Sequence, residues 1–284
     1  MRTVAYKSIL AGVLRSVGQD PATASTERLA QCGEFIADRF TDAFEYYRWP
    51  HYLITEQRFF RDTWTASAFS TGDEVYYAAG DGYYVANATT TGADVPGTSP
   101  LWDELSDYHK YVPYEQLGKT AIGAVLGCHS KDPRVFSTAL RVGFSIGPLG
   151  VTVPPSTALT SIWLTYRTRN VSFAWDFIWS ATATYAPDDV IYYAATGEVY
   201  TVGIATTAGE DPEDTPAKFT LVAFPHFLAR AVKAGARADL LGAMGQEEKE
   251  AAREAEFRDL LEEQVFQITK IQGQTGTPTI IIQP

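Results

Sequence analysis

The sequence predicts an α+β protein with an N- and C-terminal helical bundle, a central antiparallel β-sheet and two small inserted β-hairpin modules. Three observations carry this expectation. Apolar residues recur at helical spacing at both ends of the chain, and short β-branched and aromatic runs punctuated by Gly and Pro fill its middle. Residues 71–100 also return as residues 187–216, at a constant offset of 116 positions. With 45% apolar residues over 284 positions, the chain can build a sizeable core.

In chain order, Ile9, Leu10, Val13, Leu14 and Val17 place one apolar stripe on a helix over residues 3–17, and Gly18 stops it. Asp20 and Pro21 suit the cap and first turn of a second helix. Its apolar face is Leu29, Cys32, Phe35, Ile36, Phe40, Phe44 and Tyr47, and it should end near Trp49 and Pro50. The two form a helical hairpin. The same reading divides the chain into a discontinuous scaffold, residues 1–58, 106–178 and 222–284, and two inserts, residues 59–105 and 179–221.

Each insert holds one copy of the repeat. Asp73 matches Asp189, Tyr76 and Tyr77 match Tyr192 and Tyr193, Tyr84 matches Tyr200, and Thr91, Pro96 and Pro100 match Thr207, Pro212 and Pro216. A tryptophan precedes each copy, Trp64 or Trp179, and an aromatic follows it, Trp102 or Phe219. The pattern is a tyrosine-rich strand, a turn carrying Gly80 and Gly82 or Gly197, a second strand, and a Thr/Gly/Pro loop. A unit this small buries little surface alone, so Trp64, Tyr76, Tyr84, Trp102, Trp179, Tyr192 and Tyr200 are expected to form its miniature core.

The order of Trp, Gly-Asp, Tyr, Gly, Pro and Trp in the inserts resembles the small carbohydrate-binding modules of chitinases. In that family, sugar binding depends on exposed aromatics just after the second strand. Here those positions are Asn87, Ala88, Thr89 and Thr90, and Ile204, Ala205, Thr206 and Thr207, which supply no stacking platform.

Between the inserts, TAIGAVLGCHS, FSTALRVGFS, GVTV and SIWLTYRTR read as strands of an antiparallel sheet, separated by Lys131 to Pro133, Gly147 to Gly150, and Pro154 with Pro155. In the last run Ile162, Leu164 and Tyr166 alternate with Trp163, Thr165 and Arg167, giving one apolar face. From Phe224 the chain reads as helix again. Ala231, Ala234, Gly235 and Ala238 make a small-residue face that lets another helix approach, and Gly242 and Gly245 end the segment. A second helix over residues 247–271 sets a dense charged face against Phe257, Leu260, Leu261, Val265 and Ile268. The extended tail, residues 272–284, carries Thr279, Ile280, Ile281 and Ile282. These are candidates for docking on another subunit or on a partner by strand addition.

The 34 acidic against 23 basic residues give a net charge of −11, which argues against gripping nucleic acid through its phosphates. Catalytic, cofactor and metal sites are not expected, and the chain reads as a non-enzymatic structural protein. Gly118, Lys119 and Thr120 mimic the end of a phosphate-binding loop, but Pro113 stands where that loop requires Gly. His51, His109, His129 and His226 lack metal spacing, and Cys32 and Cys128 are far apart and outside any CxxC pair. The N-terminal apolar run is broken by polar residues without a cleavage site, so a signal peptide is not expected, nor is a membrane span.

KSILAGVLRSVGQDP near the start, SIWLTYRTRN in the sheet, and FLARAVKAGARADLLG with EAAREAEFRDLLEEQ near the end resemble tail tubular protein A and related head-to-tail adaptors of tailed phages. The likeness spans most of the chain outside the inserts. It implies a dodecameric ring in the virion neck, assembled in the host cytoplasm, that joins the portal protein to the tail tube or nozzle. Fibre or capsid collar proteins are further partners, and genomic DNA passes an acidic channel without specific binding. The alternatives are a glycan-binding virion appendage or a tail or baseplate protein, and then a secreted glycan-active enzyme. An appendage would need exposed aromatics in the insert loops. An enzyme would need a signal peptide and a carboxylate pair.

Overall fold

The computed structural model describes residues 2–105, 111–116, 118–136, 138–154, 159–170 and 172–273. Among these the protein is mixed α+β, with four α-helices and several antiparallel sheets. The first elements are β1 (Thr3–Val4), α1 (Tyr6–Arg15), α2 (Thr26–Tyr46), β2 (Leu53–Phe59), β3 (Asp62–Thr63), β4 (Glu74–Tyr77), β5 (Gly82–Ala86) and β6 (Trp102–Glu104). There follow β7 (Tyr111–Pro113), β8 (Ile122–His129), β9 (Ser145–Ile146), β10 (Gly150–Thr152), β11 (Ser161–Thr168) and β12 (Phe177–Ile178). The last are β13 (Val190–Tyr193), β14 (Glu198–Val202), β15 (Phe219–Leu221), β16 (Phe224–Pro225), α3 (His226–Ala243) and α4 (Glu247–Gly273). The chain divides into two compact units, Met1–Arg48 with Asn170–Pro284, and Trp49–Arg169.

In the first unit α3 packs against α1, α2 and α4. Its small residues permit this approach: a Cβ added at Gly235 would lie 2.8 Å from Cδ of Arg39 on α2. Arg39 donates two hydrogen bonds to Asp239, at 2.7 and 2.5 Å, and reaches Glu254 on α4 at 2.9 Å. The rings of Phe40, Phe173 and Phe224 meet with centroids 4.6 to 5.3 Å apart and anchor the core. Phe257, Leu260 and Leu261 bury the inner side of α4. The second helix starts later than its expected cap at Asp20. Asp20 instead accepts from the backbone of Ala22 in a local turn, and Ser25 caps α2 by accepting from the Arg28 amide. The helix ends at Tyr46, ahead of the expected Trp49.

In the second unit β2, β11 and β8 form an antiparallel sheet with β11 in the centre. Ile162, Leu164 and Tyr166, the apolar face of the alternation, are fully buried with Phe60, Val112, Cys128 and Val151. A smaller sheet has the order β7, β10, β9. The run FSTALRVGFS is not the strand expected of it. Asp132 starts a turn, its carbonyl accepting from the amides of Val135 and Phe136, and pairing returns first as a single antiparallel bridge of Arg141 to His129 at the end of β8, then at β9. Val135, Phe136, Leu140 and Phe144 are left facing solvent.

Each repeat forms a four-stranded sheet, β3-β4-β5-β6 in the second unit and β12-β13-β14-β15 in the first. In both, the opening strand runs parallel to the next and the remaining pairs are antiparallel. The expected docking residues Thr279, Ile280, Ile281 and Ile282 lie outside the described residues, as does His109.

Candidate functional site

The two modules share a hydrogen-bond frame, position for position. Asp73 and Asp189 each accept from an amide three residues upstream, Ser70 or Ala186, at 2.7 Å. Thr90 and Thr206 are buried, and their hydroxyls accept from the amides of Phe69, at 3.2 Å, and Tyr185, at 2.9 Å. The Thr91 and Thr207 amides donate to the carboxylates of Asp94 and Glu210, at 2.8 and 2.7 Å. The aspartate contacts fix the turn before the first hairpin strand and the others fix the loop after the second, each by satisfying a backbone N–H that the sheet leaves over.

Ring geometry repeats as well. Trp64 meets Tyr77 edge-on at 5.5 Å, and Tyr77 meets Tyr84 at 6.3 Å. In the other module Trp179 meets Tyr193 at 5.2 Å, and Tyr193 meets Tyr200 at 6.5 Å. Trp64 and Tyr84 pack with Val75, Ala86 and buried Trp102, while Trp179 and Tyr200 pack with Ile191, Val202 and Phe219. These form the inner face of each module.

Tyr76 and Tyr192 point to the opposite face, as the period of two requires. Tyr76 stacks on Phe59 at 4.8 Å, and Tyr192 packs on Trp175 at 4.7 Å and Tyr6 at 6.2 Å. They therefore seat each module on its own unit. Module-specific ties reinforce the seating. Arg61, almost fully buried, pairs with Glu74, donates to the carbonyls of Phe60 and Tyr111, and lies 3.8 Å above the Tyr111 ring. Tyr83 donates to the carbonyl of Thr160. In the second module the carboxylate of Glu198 accepts from the Tyr6 amide at 2.9 Å, and burial raises its pKa above the usual glutamate value.

The positions where the resembled sugar-binding modules carry exposed aromatics are filled differently. Asn87 donates to the Pro100 carbonyl and Asp103, Thr90 and Thr206 are buried cross-ties, and Ile204 alone is a large exposed side chain. The threonines were the functional-looking positions that pattern reading missed. Their signal was present in the repeat, since both copies carry a Thr pair at that point.

Reactive groups elsewhere are absorbed into structure. The carbonyl of Thr120, in the Gly118-Lys119-Thr120 run, accepts from fully buried Arg58. Arg58 also donates to the Tyr166 hydroxyl at 2.7 Å, and that hydroxyl donates to Glu56 at 2.5 Å. Burial, then the bond to Glu56, pushes the Tyr166 phenol up to about 12, so it stays protonated. Cys32 and Cys128 are buried free thiols that burial pushes up to about 11. His129 is half-buried beside Cys128 on β8. Among the described residues, no three His, Cys, Asp or Glu side chains are grouped to hold a metal ion, and no helix is long and apolar enough to cross a membrane. Comparison with protein-family models, curated proteins and solved structures found no match to the chain.

Proposed function

We propose that the chain is a non-enzymatic structural subunit of a phage head-to-tail connector, assembled as a dodecameric ring between the portal and the tail tube or nozzle. The observation that carries this reading is the gathering of the two ends of the chain into one helical assembly. Arg39 and Asp239, 200 positions apart, form a bidentate pair between α2 and α3, and α3 also contacts α1 and α4. That is the helix order implied by the resemblance to tail tubular protein A. On this reading the scaffold is a helical bundle from both ends with a central antiparallel sheet, and the two modules are insertions that brace neighbours or meet collar or fibre proteins. The net charge of −11 suits a wall past which packaged DNA slides without adhering.

The test is the mass of the full chain, alone and mixed with portal rings, by light scattering and negative-stain imaging. Rings formed in solution or on the portal are the expected result. A monomer that ignores portal rings and is retained on chitin would replace the reading with a glycan-binding appendage.

A further inference from the structure

Two exposed surfaces, one on each unit, have complementary chemistry. Six of the twelve large hydrophobic side chains exposed among the described residues fall within fifteen consecutive positions, 135–149: Val135, Phe136, Leu140, Phe144, Ile146 and Leu149, each 36% to 72% exposed. So dense a run is not the scattered exposure normal for a soluble surface. It is flanked by cations. Arg134 is neutralised by Asp132 at 2.9 Å, whereas Lys131 and Arg141 are exposed and have no ion pair among the described residues. In a chain of net charge −11, this segment is locally basic.

The second surface is built by α2 and α4. Asp259, Glu262, Glu263 and Phe266 stand at i, i+3, i+4 and i+7, so they share one helical face. Phe266 is 68% exposed, and neither Asp259, Glu262 nor Glu263 pairs with a cation among the described residues. Tyr46 at the end of α2 is 48% exposed and close enough to Glu262 for that carboxylate to help raise its phenol, after burial. The face is acidic and aromatic where residues 131–149 are basic and apolar.

We propose that the patch of Lys131, Val135, Phe136, Leu140, Arg141 and Ile146 on one copy docks on the Tyr46, Asp259, Glu262, Glu263 and Phe266 face of the next copy. The occupant is a second copy because the complement in charge and apolarity is carried by the chain itself. The two patches differ, so the contact is heterologous: each copy keeps one free patch of each kind, and successive copies add until a ring closes. This rests on the connector reading and deepens it by naming the surfaces between subunits.

The experiment uses the full chain in three forms: wild type, K131E/R141E and E262K/E263K, each followed by sedimentation velocity over a concentration series. Wild type is expected to assemble, and each variant alone to need at least about tenfold more protein, since like charges then face each other. An equimolar mixture of the two variants is expected to regain wild-type assembly with both chains present, because every mixed contact is again complementary. A within-chain contact could not be restored by mixing. L140S/I146S, which changes no charge, is expected to weaken assembly too, and its mixture with E262K/E263K to form pairs through the one intact contact without regaining extended assembly. Wild-type rings that survive both charge reversals, or a mixture that fails to assemble, overturn the inference while leaving the connector reading standing. Wild type that stays monomeric alone and on portal rings overturns both.

Discussion

The two modules are built on one frame but lean on different supports, and the difference separates what a small β-unit needs from what its host requires. Inside each, the Asp, Thr and carboxylate ties and the Trp-Tyr-Tyr rings are conserved in geometry. On the outer face, the first module is held by the buried Arg61 and the second by its own Glu198, which accepts from the Tyr6 amide at the start of α1. The turns show the same division. Gly72 and Asp188 are equivalent and both have positive φ, and so are Asp81 and Gly197. Either residue tolerates the left-handed backbone, and the surroundings decide between them. Asp81 accepts from the Tyr76 hydroxyl at 2.7 Å, whereas a Cβ at Gly197 would lie 2.6 Å from Cβ of Lys7.

The comparison can be broken most strongly at the supports. Arg61→Ala removes the buried cation under the first module and leaves Glu74 unpaired; a loss of about 3 kcal/mol is expected in urea unfolding of the full chain. Gly197→Asp copies the first module's residue into the second and forces it against Lys7, with an expected loss of about 2 kcal/mol. If that variant is as stable as wild type, α1 does not dictate the glycine. Thr90→Val and Thr206→Val each strand one amide, half-buried Phe69 or buried Tyr185, and should cost about 1 kcal/mol apiece, by nearly equal amounts. A severalfold difference between them would show that the shared frame bears unequal weight. Asp188→Gly is the mildest change: relieving a non-glycine residue at φ +73° should raise stability by about 0.5 kcal/mol, visible as a small rise in thermal midpoint.

What pattern reading recovered follows from periodicity. The faces of α3 and α4, the buried alternation Ile162, Leu164, Tyr166, and the repeat itself were legible because each is a regular spacing of apolar residues. The start of α2 was not, because Asp20 and Ser25 are both competent caps and only the turn geometry chooses between them. Strand placement failed in part at FSTALRVGFS, where apolar content implied a buried strand: only Leu140 to Val142 lie against the end of β8, by a single bridge, while Phe136 belongs to the preceding turn and faces solvent. That misreading hid the basic and apolar surface proposed above as a subunit contact. Among the module aromatics, Tyr76 and Tyr192, expected in the miniature core, instead face the host unit and seat the modules, while their neighbours Tyr77 and Tyr193 join the inner ring cluster.

The two cysteines have a practical consequence. Cys32 lies on α2 in one unit and Cys128 on β8 in the other, both buried and both shifted to about 11, so neither is an effective nucleophile while its surroundings stay closed. With reagent concentrated enough to outpace reclosing, alkylation of each thiol then proceeds at the rate at which its own surroundings open. Resolved by peptide mass, the pair is a native two-channel clock, timing the breathing of the helical unit and the sheet unit separately without any introduced label.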